Sequence, residues 1–213
     1  MSLIRELRYK HRDLWDSVVM HEFVLAMGDG SLKRSYFKTY LLQDYMFIKD
    51  LVVLIGLGIA KAHDLYYSKI LNSFLTGILN PENDYFERTF AELNVKKSEY
   101  AVLPISRTMQ AFGDFLVRVA HEGNFEDIMM ALYVTEGTYL DWGTQLIENM
   151  DDNIDSIYKE WIELHSPIAL GEIVQEIGDF LENLNSSVSQ ARLEHIFVTT
   201  LRYECMFWES SFD

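Results

Sequence analysis

The sequence predicts an all-α protein that folds as one domain over residues 1–213. Apolar residues recur at intervals of three and four along almost the whole chain, which is the spacing of a buried helix face. Only 3 Pro and 11 Gly interrupt the 213 residues, and this scarcity favours long helices over short strands joined by turns. No alternating apolar and polar run is flanked by hairpin signals. We therefore predict about eight helices and no sheet.

Turn and capping residues set the expected helix boundaries in the first half. The Gly-rich turn at 27–30 ends the first helical region, and Ser31 is expected to cap the next helix. Segment 51–60 of that helix is apolar on every side, which is typical of a central, covered helix. Its Gly56 and Gly58 indicate either close approach of a neighbouring helix or local flexibility. The expected helices cover 3–18, 32–63, 65–79 and 81 or 83 to 93.

The second half begins with a polar segment, 94–103, which we expect to be a loop. Pro104 follows it and is expected to start a helix that continues through His121. Later helix starts are marked by capping signals, which are Asn124 with Asp127, Ser166 with Pro167, and the capping-box pattern at 187–190.

Charge and cysteine content exclude several classes of protein. The net charge is −15 and the 18 basic residues are scattered, so we expect no nucleic-acid partner. The single cysteine, Cys205, excludes an intramolecular disulfide framework and CxxC-type zinc sites, and it fits a reducing cytoplasm. The charged start of the chain is unlike a signal peptide, and the apolar run 51–60 is too short to span a membrane. We therefore expect a cytoplasmic protein that contacts no membrane.

Three carboxylates lie in aromatic or apolar helical settings, at Asp44, Glu136 and Glu204. Tyr40 and Phe47 share a helix face with Asp44, at spacings of four and three residues. Burying an unpaired charge costs several kcal/mol, so such positions call for a ligand or an ion pair. Three of them suggest one aromatic pocket that holds acids and binds a flat, nitrogen-rich small molecule.

Ion pairing is the alternative explanation for these acids. Asp44 can pair with a Lys or Arg of a neighbouring helix, and Glu204 with Arg202 or Arg192. The apolar setting of Glu204 should raise its pKa, which suits a general acid or base working near neutral pH. Gly137, beside Glu136, is expected to leave room for a ligand.

The histidines show no ligand spacing such as His-x-x-x-His, and no Glu-x-x-His pair is present. We therefore expect no metal and no cofactor. His165 differs from the other histidines because it directly precedes the break at Ser166 and Pro167, where a side chain can face a cavity.

The chain resembles the TenA/thiaminase II family, whose members adopt the heme-oxygenase-like all-α fold without heme. The resemblance covers nearly the whole length and rests on five segments, which are 21–24 with 28–32, 37–45, 123–125 ahead of the Glu136 helix, 158–161 and 203–208. It implies a homotetramer that binds a small pyrimidine substrate.

The resemblance also implies roles for individual residues. An aspartate at the place of Asp44 holds the aminopyrimidine ring, an aromatic residue at the place of Phe47 stacks near it, and a glutamate at the place of Glu204 transfers protons. The remaining residues expected to line the substrate site are Phe112, Tyr139, His165 and Phe207. Phe112 and His165 stand where the familiar enzymes carry tyrosine.

One departure from the family pattern affects the chemistry. Thr135 stands where the cysteine-bearing enzymes place their nucleophile, and Cys205 lies instead beside Glu204. Covalent attack on thiamine lacks its thiolate in this chain. The segment 133–136 resembles the branch without this cysteine, which is associated with hydrolysis of amino- or formylamino-pyrimidines during thiamine salvage.

The expected reaction uses two carboxylates with separate tasks. Glu204 protonates the leaving amine, Glu136 orients or activates water, and Asp44 orients the ring. Two alternatives stay open at this point. One is a PqqC-like or di-iron oxidase of the same fold, and the other is a non-catalytic protein that binds pyrimidine or thiamine.

Overall fold

The computed structural model describes residues 3–100, 103–150, 154–184 and 188–212. All regular structure in these residues is helical, which confirms the all-α prediction. The described residues form twelve α-helices and one π-helical turn instead of about eight helices, because the helix expected over 3–18 is divided and short helices form in segments where none was expected. The helices before the π-helical turn are α1 (Leu3–Lys10), α2 (Arg12–Val19), α3 (Glu22–Gly28), α4 (Arg34–Lys61) and α5 (Leu65–Gly77). The π-helical turn is Ile78–Glu82, and it is followed by α6 (Asn83–Glu92), α7 (Lys97–Tyr100), α8 (Arg107–Glu122), α9 (Phe125–Asn149), α10 (Ser156–Leu164), α11 (Pro167–Glu182) and α12 (Gln190–Ser210).

Helix α9 is the centre of the molecule. Every residue from 125 to 138 is buried, and the helix contacts α2, α4, α8, α11 and α12. Segment 51–60 of α4 was expected to hold this place, and that prediction is wrong. Val52, Val53, Leu57 and Ile59 are only half-buried, since α4 packs on α5, α8 and α9 and leaves one apolar side uncovered.

The two glycines of α4 have different surroundings. A Cβ on Gly58 would lie 3.0 Å from Leu71 and 3.1 Å from Ile128, which confirms a close approach at this position. A Cβ on Gly56 would meet nothing within 4 Å, so the same expectation is wrong there.

The junction between α5 and α6 is continuous, although Pro81 lies inside it. The chain passes from Gly77 through the π-helical turn directly into α6. Pro81 has no N–H to donate to the backbone of the preceding turn. The side-chain amide of Asn80 donates to the carbonyl of Thr76 at 2.7 Å, and this bond partly replaces the missing one.

The capping signals predict most, though not all, of the helix starts. Asn124 and Asp127 form a capping box with two hydrogen bonds of 3.0 Å. Ser166 caps α11 with Pro167 at its first position, as expected. The final helix begins after Ser189, whose side chain accepts from the Arg192 N–H, while Ser187 lies outside the described residues.

Three boundaries differ from the expectation. Helix α4 is preceded by Lys33 rather than capped by Ser31, because Leu32 is buried and its N–H donates to the carbonyl of Ala26 at 2.9 Å. The expected loop at 94–103 contains α7, and α8 begins after Ser106 rather than at Pro104. The helix expected over 3–18 is divided at His11 into α1 and α2. None of the described helices has the length and apolar content needed to cross a membrane.

Candidate active site

The three acids singled out in the sequence converge on one small cavity of about 40 Å³. Asp44 comes from α4, Glu136 from α9 and Glu204 from α12, so three helices that are distant in the chain each contribute one carboxylate. The cavity has room for about three water molecules. Its lining consists of Asp44, Phe47, Ile48, Leu51, Ile78, Glu82, Thr135, Glu136, Tyr139, His165, Glu204 and Phe207.

Asp44 is only 6% exposed and forms no hydrogen bond or ion pair with the described residues. Burial, and then the nearby carboxylate of Glu136, raise the pKa of Asp44 to about 8. The structure therefore offers no neighbouring Lys or Arg to this group in the described parts of the chain, and its carboxyl group faces a cavity instead.

Tyr40 and Tyr139 connect α4 to α9 next to this acid. Their hydroxyl groups form a hydrogen bond of 3.0 Å. Burial, together with the charge of Asp44, holds the pKa of both hydroxyls well above the usual value, so both tyrosines stay protonated. Tyr139 also packs against Trp208 with ring centroids 5.7 Å apart, which fixes this side of the cavity.

Glu136 lies near the middle of the buried helix α9. Burial raises the pKa of Glu136 to about 8, and a hydrogen bond from Thr135 opposes this shift. The Thr135 hydroxyl lies 3.1 Å from Oε1 of Glu136 and 3.2 Å from the Leu132 carbonyl. Thr135 therefore orients the glutamate, and its hydroxyl oxygen is held close to the helix backbone.

Glu204 is 2% exposed, and its pKa is raised well above the usual value by burial and by the charges of Glu136 and Asp44. Arg192, one of its expected partners, instead donates to Asp127 at 2.7 Å. No ion pair involves Glu204 within the residues described. The ion-pair alternative is thus wrong for Arg192.

His165 lines the cavity as expected from its place before Ser166. Its Nδ1 lies 2.7 Å from the Trp161 carbonyl, and since a carbonyl only accepts, Nδ1 carries the proton and Nε2 has the free lone pair. Burial lowers the pKa of His165 to about 4, so the ring is neutral at physiological pH. No group of three or more His, Cys, Asp or Glu side chains in the described ranges is arranged to hold a metal ion.

Gly143 of α9 allows the backbone of His165 to approach. A Cβ at this position would lie 2.2 Å from the His165 carbonyl oxygen. We expect Gly143→Ala to lower the free energy of unfolding by about 1–3 kcal/mol, because the clash is with backbone and can be relieved only by moving the helices apart. Chemical denaturation measures this effect.

Gly56→Ala is the matched control for that substitution, because its new methyl group would meet nothing within 4 Å. In the interior of α4 it is expected to leave stability unchanged or to raise it by up to about 1 kcal/mol through helix propensity. Equal destabilisation by the two alanines would contradict the role assigned to Gly143.

The predicted aromatic residues divide into two layers. Phe47 and Phe207 line the cavity together with Tyr139. Phe112 does not line it. Its ring packs behind Phe47 in a tilted pair, with centroids 4.8 Å apart, and stacks on Tyr203 at 5.3 Å. Phe112 therefore supports the position of Phe47 instead of forming the cavity wall.

Gly137 and Cys205 are also placed by the structure. A Cβ on Gly137 would lie 3.2 Å from Trp15, so this glycine leaves room for the indole rather than for a ligand. Cys205 is partly exposed, and its Sγ lies 3.9 Å from the hydroxyl of Ser17, away from the cavity lining.

Glu82 is a fourth carboxylate of the cavity, and the sequence analysis missed it. Its pKa is raised well above the usual value by burial and by the charges of Asp44 and Glu136. Glu82 follows Pro81, which indicates a helix boundary, so a solvent-facing position was the natural expectation. In the π-helical turn Glu82 is instead half-buried and lines the cavity, and such turns are frequent at functional sites.

Comparisons with known proteins agree with this architecture. The model of the TENA/THI-4/PQQC family matches residues 8–213. A relative named "Aminopyrimidine aminohydrolase" from Halalkalibacterium halodurans is 29% identical over all of this chain and 96% of its own length. The solved TenA homologue from P. horikoshii has a TM-score of 0.89 at 23% identity, covering 99% of this chain and 98% of that one.

A further solved structure, whose function is unknown, has a similar fold. A domain of unknown function with a heme oxygenase-like fold, from Shewanella denitrificans, has a TM-score of 0.75 at 13% identity, over 98% of this chain and 91% of that one. The heme-oxygenase-like helical fold expected from the resemblance is thus confirmed. Because the family model matches nearly the whole chain, this protein belongs to the TENA/THI-4/PQQC family.

Proposed function

We propose that this protein is a thiamine-salvage hydrolase that cleaves a C–N bond of aminopyrimidine breakdown products, of the amino- or formylamino-hydroxymethylpyrimidine type. The observation that carries the proposal is the convergence of Asp44, Glu136 and Glu204 on one buried, aromatic-lined cavity. The relative named as an aminopyrimidine aminohydrolase supports the substrate class.

Binding of the ring is assigned to Asp44 and the aromatic residues. The carboxyl group of Asp44 has no partner in the described protein and a raised pKa, so in its protonated form it is suited to donate a hydrogen bond to a ring nitrogen and to accept one from the exocyclic amine. Phe47 and Phe207 supply apolar surface for the ring faces, and Tyr139 closes the side toward α9. The neutral His165 offers the lone pair of Nε2 to an N–H of the ligand.

The chemical step is assigned to the two glutamates. Glu204, kept protonated by its raised pKa, donates a proton to the leaving nitrogen as the C–N bond breaks. Glu136, in its ionised form, accepts a proton from the water whose oxygen forms the new C–O bond. The amine thus leaves as ammonia, the pyrimidine leaves as an alcohol, and the two carboxyl groups exchange their protonation states.

Thr135, which lines the cavity, supports assigning this chain to the branch that lacks the catalytic cysteine. The Thr135 hydroxyl directs its proton toward Glu136 and the Leu132 carbonyl, and a neutral hydroxyl is a much weaker nucleophile than a thiolate. Cys205 lies outside the cavity lining, and burial raises the pKa of its thiol. Direct attack of water, without a covalent intermediate, follows from this arrangement.

Mass-spectrometric product analysis tests the proposal. The protein is incubated with the aminomethyl pyrimidine, its formylated derivative and thiamine in separate reactions. We expect conversion of a pyrimidine to the hydroxymethyl or deformylated product, with thiamine unchanged. Cleavage of thiamine at a comparable rate would contradict the cysteine-free assignment, and tight binding of a pyrimidine without any turnover would favour a binding protein.

A cytoplasmic homotetramer is part of the proposal. The half-buried apolar residues Val52, Val53, Leu57 and Ile59 leave one side of α4 uncovered in the single chain, and a neighbouring subunit would cover it. Light scattering in solution measures the subunit number.

A further inference from the structure

A second, larger depression adjoins the buried cavity. It has a volume of about 480 Å³ and is lined by residues of α5, the π-helical turn, the end of α10 and the start of α11. Ile78 and Glu82 line both this outer groove and the buried cavity, and no other described residue lines both. One turn of the chain is therefore the wall between the two spaces.

This wall is built to deform more easily than an ordinary helix. The π-helical hydrogen-bond pattern is rare, and Pro81 removes one backbone donor from it. Opening is also required, since the buried cavity holds about three water molecules and a substituted pyrimidine is larger. Among the described residues that line the cavity, all those outside this turn lie in an α-helix or directly at the end of one.

The carboxyl groups on both sides of the wall favour a cation, because a positive charge beside them stabilises their ionised forms. The cavity lining includes four carboxyl groups and no Lys or Arg. The groove adds Glu172 and Glu176 against a single Lys69. Glu82 has no hydrogen bond or ion pair with the described residues, so its carboxyl group is available to a ligand.

The acidic cluster includes buried carboxyl groups that face the cavity and have no hydrogen-bond or ion-pair partner among the described residues. Asp44 and Glu204 are more than nine-tenths buried and have no hydrogen bond or ion pair in the described chain. Glu82 stands between these inner acids and the groove. A ligand entering from the groove would meet Glu82 before it meets Asp44.

We propose that ligands enter the active site from the outer groove past the Ile78–Glu82 turn, and that Glu82 is a further substrate-binding residue that selects positively charged ligands at this entrance. The proposal rests on the proposed function for the identity of the natural ligand, a protonated aminopyrimidine. The entrance and its charge preference can be tested without that substrate.

A cysteine placed inside the cavity reports on entry. Thr135→Cys, combined with Cys205→Ser, leaves one thiol in the whole chain, and this thiol lines the buried cavity. It is treated at about pH 8 with three methanethiosulfonates of different charge, bearing an aminoethyl, a methyl or a sulfonatoethyl group. The thiolate attacks the sulfenyl sulfur, a new S–S bond forms, the reagent's S–S bond breaks, and methanesulfinate leaves with the electron pair. Mass spectrometry measures the labelling rate.

We expect the cationic reagent to label at least about 10-fold faster than the anionic one, after correction for their rates with a free thiol. Adding Glu82→Gln should lower the cationic rate by about 10-fold and leave the neutral rate unchanged. Glu172→Gln is the matched control, because it removes a carboxyl group from the groove without touching the cavity. Ile78→Trp should slow all three reagents by blocking the turn.

Three outcomes would overturn the proposal. In the first, Glu82→Gln leaves the ratio of the cationic to the neutral labelling rate unchanged. In the second, Glu172→Gln lowers this ratio as much as Glu82→Gln does. In the third, Ile78→Trp slows labelling by none of the reagents. Circular dichroism of each variant checks that it is folded. Since labelling requires no turnover, a protein that shows the expected rates but hydrolyses no pyrimidine would refute the proposed function and retain the entrance.

Discussion

Replacing Glu204 with Gln is expected to lower kcat for pyrimidine hydrolysis by about 100- to 10,000-fold, the range attributed to a single general acid or base. The amide has almost the same shape as the carboxylic acid but cannot deliver a proton to the leaving nitrogen. Because Glu204 is 2% exposed and has no ion pair within the described residues, the substitution should leave the fold intact and KM nearly unchanged. Steady-state kinetics with the aminomethyl pyrimidine measure the effect.

The matched control is Glu209→Gln. Glu209 lies on the same helix, α12, but it is exposed and does not line the cavity. It should retain full activity. If Glu204→Gln were as active as the wild type, the general acid would have to be another group, and the assignment of the two glutamates would be wrong.

The second large effect concerns stability and pH. Folding stability of the ligand-free protein should fall as pH rises between about 5 and 8, because Asp44 and Glu136 have pKa values of about 8 in the folded protein. An acid whose pKa is raised by folding binds its proton more tightly in the folded state than in the unfolded one. Its stabilising effect is complete below the usual pKa and is lost as pH approaches the raised value.

Glu136→Gln removes one of these titrating groups. We expect it to reduce the slope of stability against pH by up to about 1.4 kcal/mol per pH unit in this window. At about pH 7 the variant should therefore be more stable than the wild type, by up to about 3 kcal/mol. Thermal and chemical unfolding across the pH range measure both quantities.

Glu148→Gln serves as the control for this experiment. Glu148 lies on α9 with Glu136, but it is exposed and distant from the cavity lining. Its stability curve should run parallel to that of the wild type. Parallel curves for Glu136→Gln as well would mean that folding does not raise the pKa of Glu136, and burial would then not be the main influence on this group.

The acids of the site could be predicted because a carboxylate inside an aromatic stripe is unusual wherever it occurs. Asp44, Glu136 and Glu204 each stand out against the apolar periodicity of one helix, and the structure brings all three together. Glu82 gives no such signal, since it follows Pro81 in a polar segment. Its place depends on a π-helical turn, which local spacing alone does not predict.

The centre of the fold was harder to predict than its class. Segments 51–60 and 125–138 are both rich in apolar residues, and 51–60 has the more uniform apolar run. The structure surrounds 125–138 and leaves part of α4 uncovered. Helical periodicity identifies which residues avoid water, but contacts between distant helices decide whether another helix or another subunit covers them.

The central position of α9 has a consequence for how the chain folds. Its neighbours α2 and α4 precede it in the sequence, and α11 and α12 follow it, so its burial requires contacts between segments far apart in the chain. During synthesis α9 stays partly exposed until α12 has been made, and contacts of such long sequence separation slow folding. The carboxyl groups of the proposed active site are therefore among the last features to assemble, and a nascent chain lacks the complete cavity until α12 docks.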